Sequence, residues 1–228
     1  LVYPAESDPP GGYGFFRIPA NAPIEGAVPG CDAVRCGGDR HLLLLANDTC
    51  MLAEFWRASP VAADNVSYSA ANGAIWNLTS SRFPSRPLGW TSADAAGMPI
   101  LPALVRYTEV MAGEIRHAIR MTVTNPQKAY VAGLATHYAG YTTDPTRPPM
   151  GLRLRLRGTY NCSALAPEAA VICVAMQRYG LVIADGGSDW FITGEAHAGW
   201  NVTALNDLRR IPGGAFEAVD SGRLCQTG

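Results

Sequence analysis

The chain is short of charge. Only 16% of its 228 residues are charged, against about a quarter in an ordinary soluble domain. Eighteen Lys and Arg face nineteen Asp and Glu, for a formal net charge of −1. Without a basic excess there is nothing to track a phosphate backbone, so nucleic acid is not an expected partner. Long apolar runs are also missing. The longest, from His41 to Ala46, falls well short of the roughly 18 residues that a spanning helix needs. It reads as a buried strand, and no membrane span is expected. There is no Gly-x-Gly-x-x-Gly, phosphate-binding loop or EF-hand pattern, so no nucleotide or calcium loop of those types is expected. Ser188 lacks the Gly-x-Ser-x-Gly setting of a hydrolase nucleophile. The four histidines, His41, His117, His137 and His197, show no ligand spacing, and the six cysteines form no Cys-x-x-Cys. Neither a metal nor another cofactor is expected.

What is present points to an oxidising, extracellular setting. Five Asn-x-Ser/Thr sequons begin at Asn47, Asn65, Asn77, Asn161 and Asn201, none with Pro in the middle. Together with an even cysteine count they read as a secreted, N-glycosylated, disulfide-bonded protein. Attached sugar would compensate for the low surface charge. Six cysteines allow 15 pairings. Cys31 with Cys36, across a short polar loop, is the favoured pair. Cys162 with Cys173 and Cys50 with Cys225 are the assignments considered for the rest.

Residues 1–30 hold six Pro and five Gly, which rules out a helix or a central strand. They are expected to form an extended arm on a single body of residues 31–228. The chain opens Leu1-Val2-Tyr3-Pro4, which reads as a mature N-terminus after removal of a leader. Such an apolar tail needs a surface to cover it. Either the chain's own sheet or a neighbouring subunit would serve.

The body alternates strands and turns. Apolar runs over 41–46 and 50–56 flank the turn signal Asn47-Asp48 and predict a hairpin. A second hairpin is expected over 66–77 around Asn72-Gly73. Thr108 is expected to cap a short helical turn over 109–112, stopped by Gly113. From Glu114 the period becomes two. Ile115, His117, Ile119, Met121 and Val123 would share one face of a half-buried antiparallel strand, and Glu114, Arg116, Ala118, Arg120 and Thr122 the other. Asn125-Pro126 ends it. Further strand signals cover 130–141, the alternating Leu/Arg run 151–158, 181–184, 190–193 and 216–219. The main helix starts near Pro167 and stops at Gly180; Asn201 caps a shorter one over 202–210. This pattern predicts a mainly β fold, a two-sheet sandwich of jelly-roll type with one packed helix and a short second one. A helix-rich α+β domain is the alternative.

Five segments carry a resemblance. They are Ala93-Asp94-Ala95-Ala96-Gly97-Met98-Pro99-Ile100-Leu101-Pro102, Gly113-Glu114-Ile115-Arg116-His117-Ala118, the run from Pro148 to Leu156, the run from Tyr179 to Trp190, and Phe216-Glu217-Ala218-Val219-Asp220. In this order, over about residues 38–220, they are similar to a widespread family of secreted proteins without an assigned activity. The resemblance implies secretion but supplies no catalytic residue. Asp185-Gly186-Gly187-Ser188-Asp189 looks like a variant of that family's more usual Asp-Asn-Gly-Ser-Asp. The proline-rich arm and the sequons look like additions to the family pattern.

Two functional readings follow. In the first, the chain is a glycosylated structural subunit. It assembles head-to-tail with identical subunits, into an extracellular fibril, through an arm that starts at Leu1, Val2 and Tyr3. In the second it is a carbohydrate-active enzyme or lectin. Asp94, Glu114, Asp185 and Asp189 are then the candidate catalytic residues, paired as Glu114 with Asp185 or Asp94 with Asp189, and Trp90, Trp190 and Trp200 offer sugar-stacking rings. The structural reading of the same residues is that the aspartates bind backbone N–H groups in their turns, that Glu114 makes ion pairs, and that His117 is a satisfied core histidine. Glu114 and His117, three apart on one strand, would point to opposite faces.

Overall fold

The leucines after His41 become β1 (Leu42–Ala46), which folds back on β2 (Met51–Trp56) as the expected antiparallel hairpin, Leu42 opposite Phe55 and Ala46 opposite Met51. The computed structural model describes residues 6–8, 18–19, 21–26, 37–60, 67–80 and 86–226. The favoured Cys31–Cys36 pair, Asn65 and the arm residues Leu1, Val2 and Tyr3 lie outside that set.

The second expected hairpin does not form. Two short strands, β3 (Ser59–Pro60) and β4 (Tyr68–Ser69), pair with each other. Asn72 and Gly73 open β5 (Asn72–Asn77), which pairs along its whole length with β2. Gly73 serves close packing rather than a turn: a Cβ there would sit 3.0 Å from the Phe55 ring on the facing strand. The first sheet therefore runs β1-β2-β5. Glu54, buried on β2, accepts the backbone N–H groups of Ile100 and Leu101 and ties this sheet to the central stretch.

The larger core lies beyond it. The expected strand over 114–123 shortens to β6 (Ile119–Val123), and only β7 (Ala129–Ala132) forms from the 130–141 region. β8 (Arg153–Leu156), β9 (Leu181–Gly186) and β10 (Phe216–Val219) follow, and a strand that was not expected, β11 (Arg223–Gln226), pairs with β7. The main sheet runs β10-β8-β9-β6. β6 is parallel to β9, not antiparallel, and is not half-buried: Ile119, Arg120, Met121 and Val123 are all shut off from solvent. Its outer edge is covered by residues 190–193, where the expected strand reduces to one bridge, Met121 to Ile192, because Trp190 takes a positive φ of 61°. Among the described residues there are four separate sheets, none of them closed. The architecture is mainly β with several sheets and few helices, in place of two sheets in jelly-roll order.

The main helix, Pro167–Arg178, has Pro at its first position and buries Ala169, Ile172, Cys173, Ala175 and Met176 against Ile119, Met121, Leu181 and Ile183. Cys173 is bonded to Cys162, which closes a short loop onto the helix. The pairing of Cys50 with Cys225 is not made; both are free thiols. Cys50 follows the β1–β2 turn on the first sheet, and Cys225 lies on β11 opposite Tyr130. Asn201 caps the helix Val202–Leu205 by accepting the Ala204 N–H, as expected. The short helix Tyr107–Met111 starts one residue before Thr108, and Arg106 takes the capping position.

Close packing is strictest at Gly97. Its φ is +72°, and a Cβ would lie 2.1 Å from Thr136 Oγ1 and 2.7 Å from Trp90 O. Gly97→Ala is expected to destabilise the fold by about 2–4 kcal/mol in urea unfolding, combining left-handed strain with overpacking.

Candidate functional site

The site is built on the loop 91–97. The Ser92 hydroxyl donates to Met98 O at 2.7 Å and accepts the Asp94 N–H at 3.0 Å. The Ala96 N–H donates to Ala184 O on β9, and Ala96 O accepts the N–H groups of Thr136 and His137. The loop is thus sewn to the end of one strand and to the 136–141 segment. Asp94, fully buried, faces Arg120 of β6, with Arg120 Nη2 2.6 Å from Asp94 Oδ1. Arg120 Nη1 donates to Thr193 Oγ1 at 2.6 Å, and Nη2 lies 3.9 Å from Asp185 Oδ2 at the tip of β9.

Two acids of this region titrate far from their usual range. Asp185 is raised to about 7. Burial is the main cause and the Asp94 charge adds to it, while Arg120 and the Gly186 N–H oppose the shift without offsetting it. Glu54 is also raised to about 7, again chiefly by burial, against two backbone N–H bonds that favour its anion. Burial raises Asp94 as well, in spite of Arg120. Its Oδ2 and the Arg120 Nε are both buried without a hydrogen-bond partner among the described residues. His41 closes the cluster. Its Nε2–H donates to Ala93 O at 3.0 Å and its Nδ1 lies 2.6 Å from Glu25 Oε2. Burial alone would lower its pKa, but the Glu25 carboxylate raises it on balance.

Beside this cluster opens a pocket of about 380 Å³. Asp185, Asp39, Trp56, His137, Tyr138 and Tyr141 contribute its functional groups, and residues 91–93 and Ala95 its floor. Asp39 accepts the Trp56 Nε1–H at 3.2 Å. The His137 Nδ1–H donates to Ala95 O at 2.9 Å, which leaves Nε2 for a further partner.

Of the four carboxylates expected from sequence, Asp94 and Asp185 converge on Arg120. The other two do not join them. Glu114 is bonded to Arg116 and Arg178 at the surface, and Asp189 accepts the Thr124 N–H at 2.7 Å. Neither expected pair, Glu114 with Asp185 or Asp94 with Asp189, is assembled. His117 bonds Ala118 O and Glu109, as a satisfied histidine does. Trp190 and Trp200 line a different, mainly apolar groove of about 680 Å³ between the main helix and residues 189–216, and Trp90 lies beside the Arg86 guanidinium. Sequence reasoning missed Asp39, Trp56 and Arg120. For Arg120 there was a signal: one arginine within an otherwise uncharged run, Ile119–Val123, flanked on its face by the small residues Ala118 and Thr122.

A second polar site holds the start of the chain. The Asp8 N–H donates to Gly73 O at 3.0 Å, and Asp8 Oδ2 accepts the Ile75 N–H at 2.7 Å, both on the outer strand β5. Arg86, only 5% exposed, bonds Asp8 Oδ2 at 2.7 Å and the Glu6 carbonyl. Glu6 Oε2 accepts the Thr91 N–H at 3.1 Å.

Among the described residues no group of three or more His, Cys, Asp or Glu is placed to hold a metal ion, and no helix is long and apolar enough to cross a membrane. Comparison with family models, curated proteins and solved structures finds no match for the chain.

Two outcomes are expected. Arg120→Met leaves Asp94 buried without a counter-charge and should cost about 3–5 kcal/mol in urea unfolding, while Arg120→Met with Asp94→Leu should recover much of it. Glu54 and Asp185 hold protons in the folded chain that an unfolded Glu or Asp releases near pH 4. The folded state therefore binds more protons, and stability should fall as pH rises from about 4 to about 7. Glu54→Gln should flatten that fall in melting temperatures recorded across the range.

Proposed function

We propose that the chain is a secreted, N-glycosylated structural subunit that joins identical subunits head-to-tail through its N-terminal arm. The seat of Glu6–Asp8 carries this reading. It lies along β5, and its bonds satisfy a nearly buried arginine, the Ile75 N–H and the Gly73 carbonyl. A seat of this kind accepts any copy of the same segment. Nine residues, Pro9 to Arg17, separate Asp8 from Ile18 and span at most about 30 Å when extended. That tether is rich in Pro and Gly, so the same contacts can be made with a neighbour's seat, the exchange that makes domain-swapped assemblies. Repeated in one direction, it builds a fibril.

Three further observations support the reading. The apolar residues Leu1, Val2 and Tyr3 precede the seat and need a covering surface. The groove by Trp190, Phe191 and Val202, which are 45%, 54% and 67% exposed, is an apolar surface that assembly would cover. Four sequon asparagines, Asn47, Asn77, Asn161 and Asn201, are exposed and open to glycosylation; Asn47 and Asn77 lie at the same end of the first sheet.

Electron microscopy of the native, unreduced protein is expected to show ordered fibres with a subunit repeat. Deleting residues 1–12 should leave folded monomers, and adding a peptide of residues 1–12 to the full chain should shorten the fibres by filling seats. Fibres that persist after the deletion would overturn the role of the arm; dispersed particles from the intact chain would overturn assembly itself.

A further inference from the structure

The pocket beside Asp94 and Arg120 plays no part in the assembly reading, and its lining has a chemistry of its own. Two carboxyl groups, Asp39 and Asp185, and the His137 imidazole share it with the rings of Trp56, Tyr138 and Tyr141. Among the described residues no lysine or arginine lines it; the Arg120 guanidinium is committed to Asp94 and Thr193 behind the wall. An anionic ligand would meet the carboxyl groups unpaired. A cation is disfavoured for a different reason. Lys128 Nζ already lies 5.9 Å from the Tyr138 ring centre and the Arg57 guanidinium 5.7 Å from that of Trp56, so the two partly buried rings each carry a positive group. The volume, about 380 Å³, is at the lower end of the range for small-molecule sites and suits one or two sugar rings.

We propose that this pocket binds a neutral pyranose. The sugar ring stacks on an aromatic face, and its hydroxyls bond Asp39, Asp185 and His137. A hydroxyl both donates and accepts, and this lining needs both. Asp39 accepts, as it already does from Trp56. With His137 Nδ1–H given to Ala95 O, the remaining ring nitrogen is left for a sugar hydroxyl. Asp185 supplies the donor. It is enclosed by Asp94 and Arg120 on the inner side and by Asp39 and His137 around the pocket, and its Oδ1 is held by the Gly186 N–H. Burial and the neighbouring Asp94 keep it protonated up to about pH 7, so below that pH its carboxyl O–H can be given to a sugar oxygen. The Tyr141 ring, with the ring faces of Trp56 and Tyr138 that Arg57 and Lys128 do not cover, supplies the apolar surface against which the C–H face of a pyranose packs. A free saccharide and a glycan carried by a copy of this chain present the same chemistry.

Saturation-transfer NMR tests this with the methyl pyranosides of glucose, galactose, mannose and N-acetylglucosamine, and with choline as the cationic control. At least one pyranoside should receive transfer at about pH 6, and binding should weaken as Asp185 ionises above about pH 7. Asp185→Asn imitates the protonated acid and should bind with a flat profile up to about pH 9, whereas Asp185→Ala should lose binding. Tyr141 is 98% exposed, so Tyr141→Ser leaves the fold intact and should weaken binding roughly tenfold, as expected for about 1.4 kcal/mol of stacking. Protein made with and without N-glycans separates the two sources: a pocket filled by the chain's own glycan takes the probe only in the glycan-free form. Transfer to none of the four sugars, transfer to choline alone, or an Asp185→Asn protein that behaves like Asp185→Ala would overturn the proposal.

Discussion

The buried contact of Arg120 with Asp94 is the constraint on which the middle of the molecule depends. A guanidinium and a carboxylate with 4% and 0% of their residues' surface exposed are tolerable only together. The pair fixes the loop 91–97 against β6, and through Thr193 it fixes the segment that covers the outer edge of that strand. It also explains why β6 is buried on both faces. Arg120, which by alternation belongs to a solvent face, is instead turned inward to meet a charge. The cost remains visible in Asp94 Oδ2 and Arg120 Nε, which find no hydrogen-bond partner among the described residues, and in the raised pKa of Asp185 beside them. A site of this type trades stability for a polarised, preorganised wall.

The same loop joins the two proposed activities. Thr91 donates its N–H to Glu6 of the arm and also lines the pocket. Two residues on, Ala93 O holds His41, whose other nitrogen faces Glu25. The arm's seat, the first sheet and the pocket are therefore connected by hydrogen bonds through residues 91–93. Exchange of the arm between subunits would replace the Glu6 contact by that of a neighbour's Glu6, leaving the pocket wall unchanged. A glycan-binding pocket repeated along a fibre would present its sites at the subunit spacing and so add avidity for a repetitive saccharide.

Parts of the fold were legible in the sequence where a local rule had one reading. Leu42–Ala46 and Met51–Trp56 formed a hairpin because a turn signal stood between two apolar runs. Pro167 and Gly180 bracketed the main helix, and Asn201 capped the next one, because these residues act on their own backbone. The reading failed where long-range packing chose between local options. Asn72-Gly73 looks like a turn, yet Gly73 is there to let Phe55 close on β5. Glu114–Val123 alternates like a half-exposed strand, yet only its second half finds a partner, β9, in parallel. Cys50 and Cys225 were paired on parity alone, and the sheets that carry them keep them apart.

By itself the sequence determined the local elements and offered the Cys162–Cys173 loop as one of its open pairings; it also named Asp94 and Asp185 among four candidate carboxylates, without separating them from Glu114 and Asp189. Tertiary structure decided which charges meet. Asp94 and Asp185 stand 91 residues apart in sequence, since 185 − 94 = 91, and share Arg120 only because β6 and β9 run side by side. Asp39 and Trp56 enter the pocket from the first sheet, and Glu114 and Asp189 leave it for ion pairing and turn closure. A carboxylate's role depends on how much water and how many charges surround it, and those are properties of the assembled interior, which no spacing along a chain encodes.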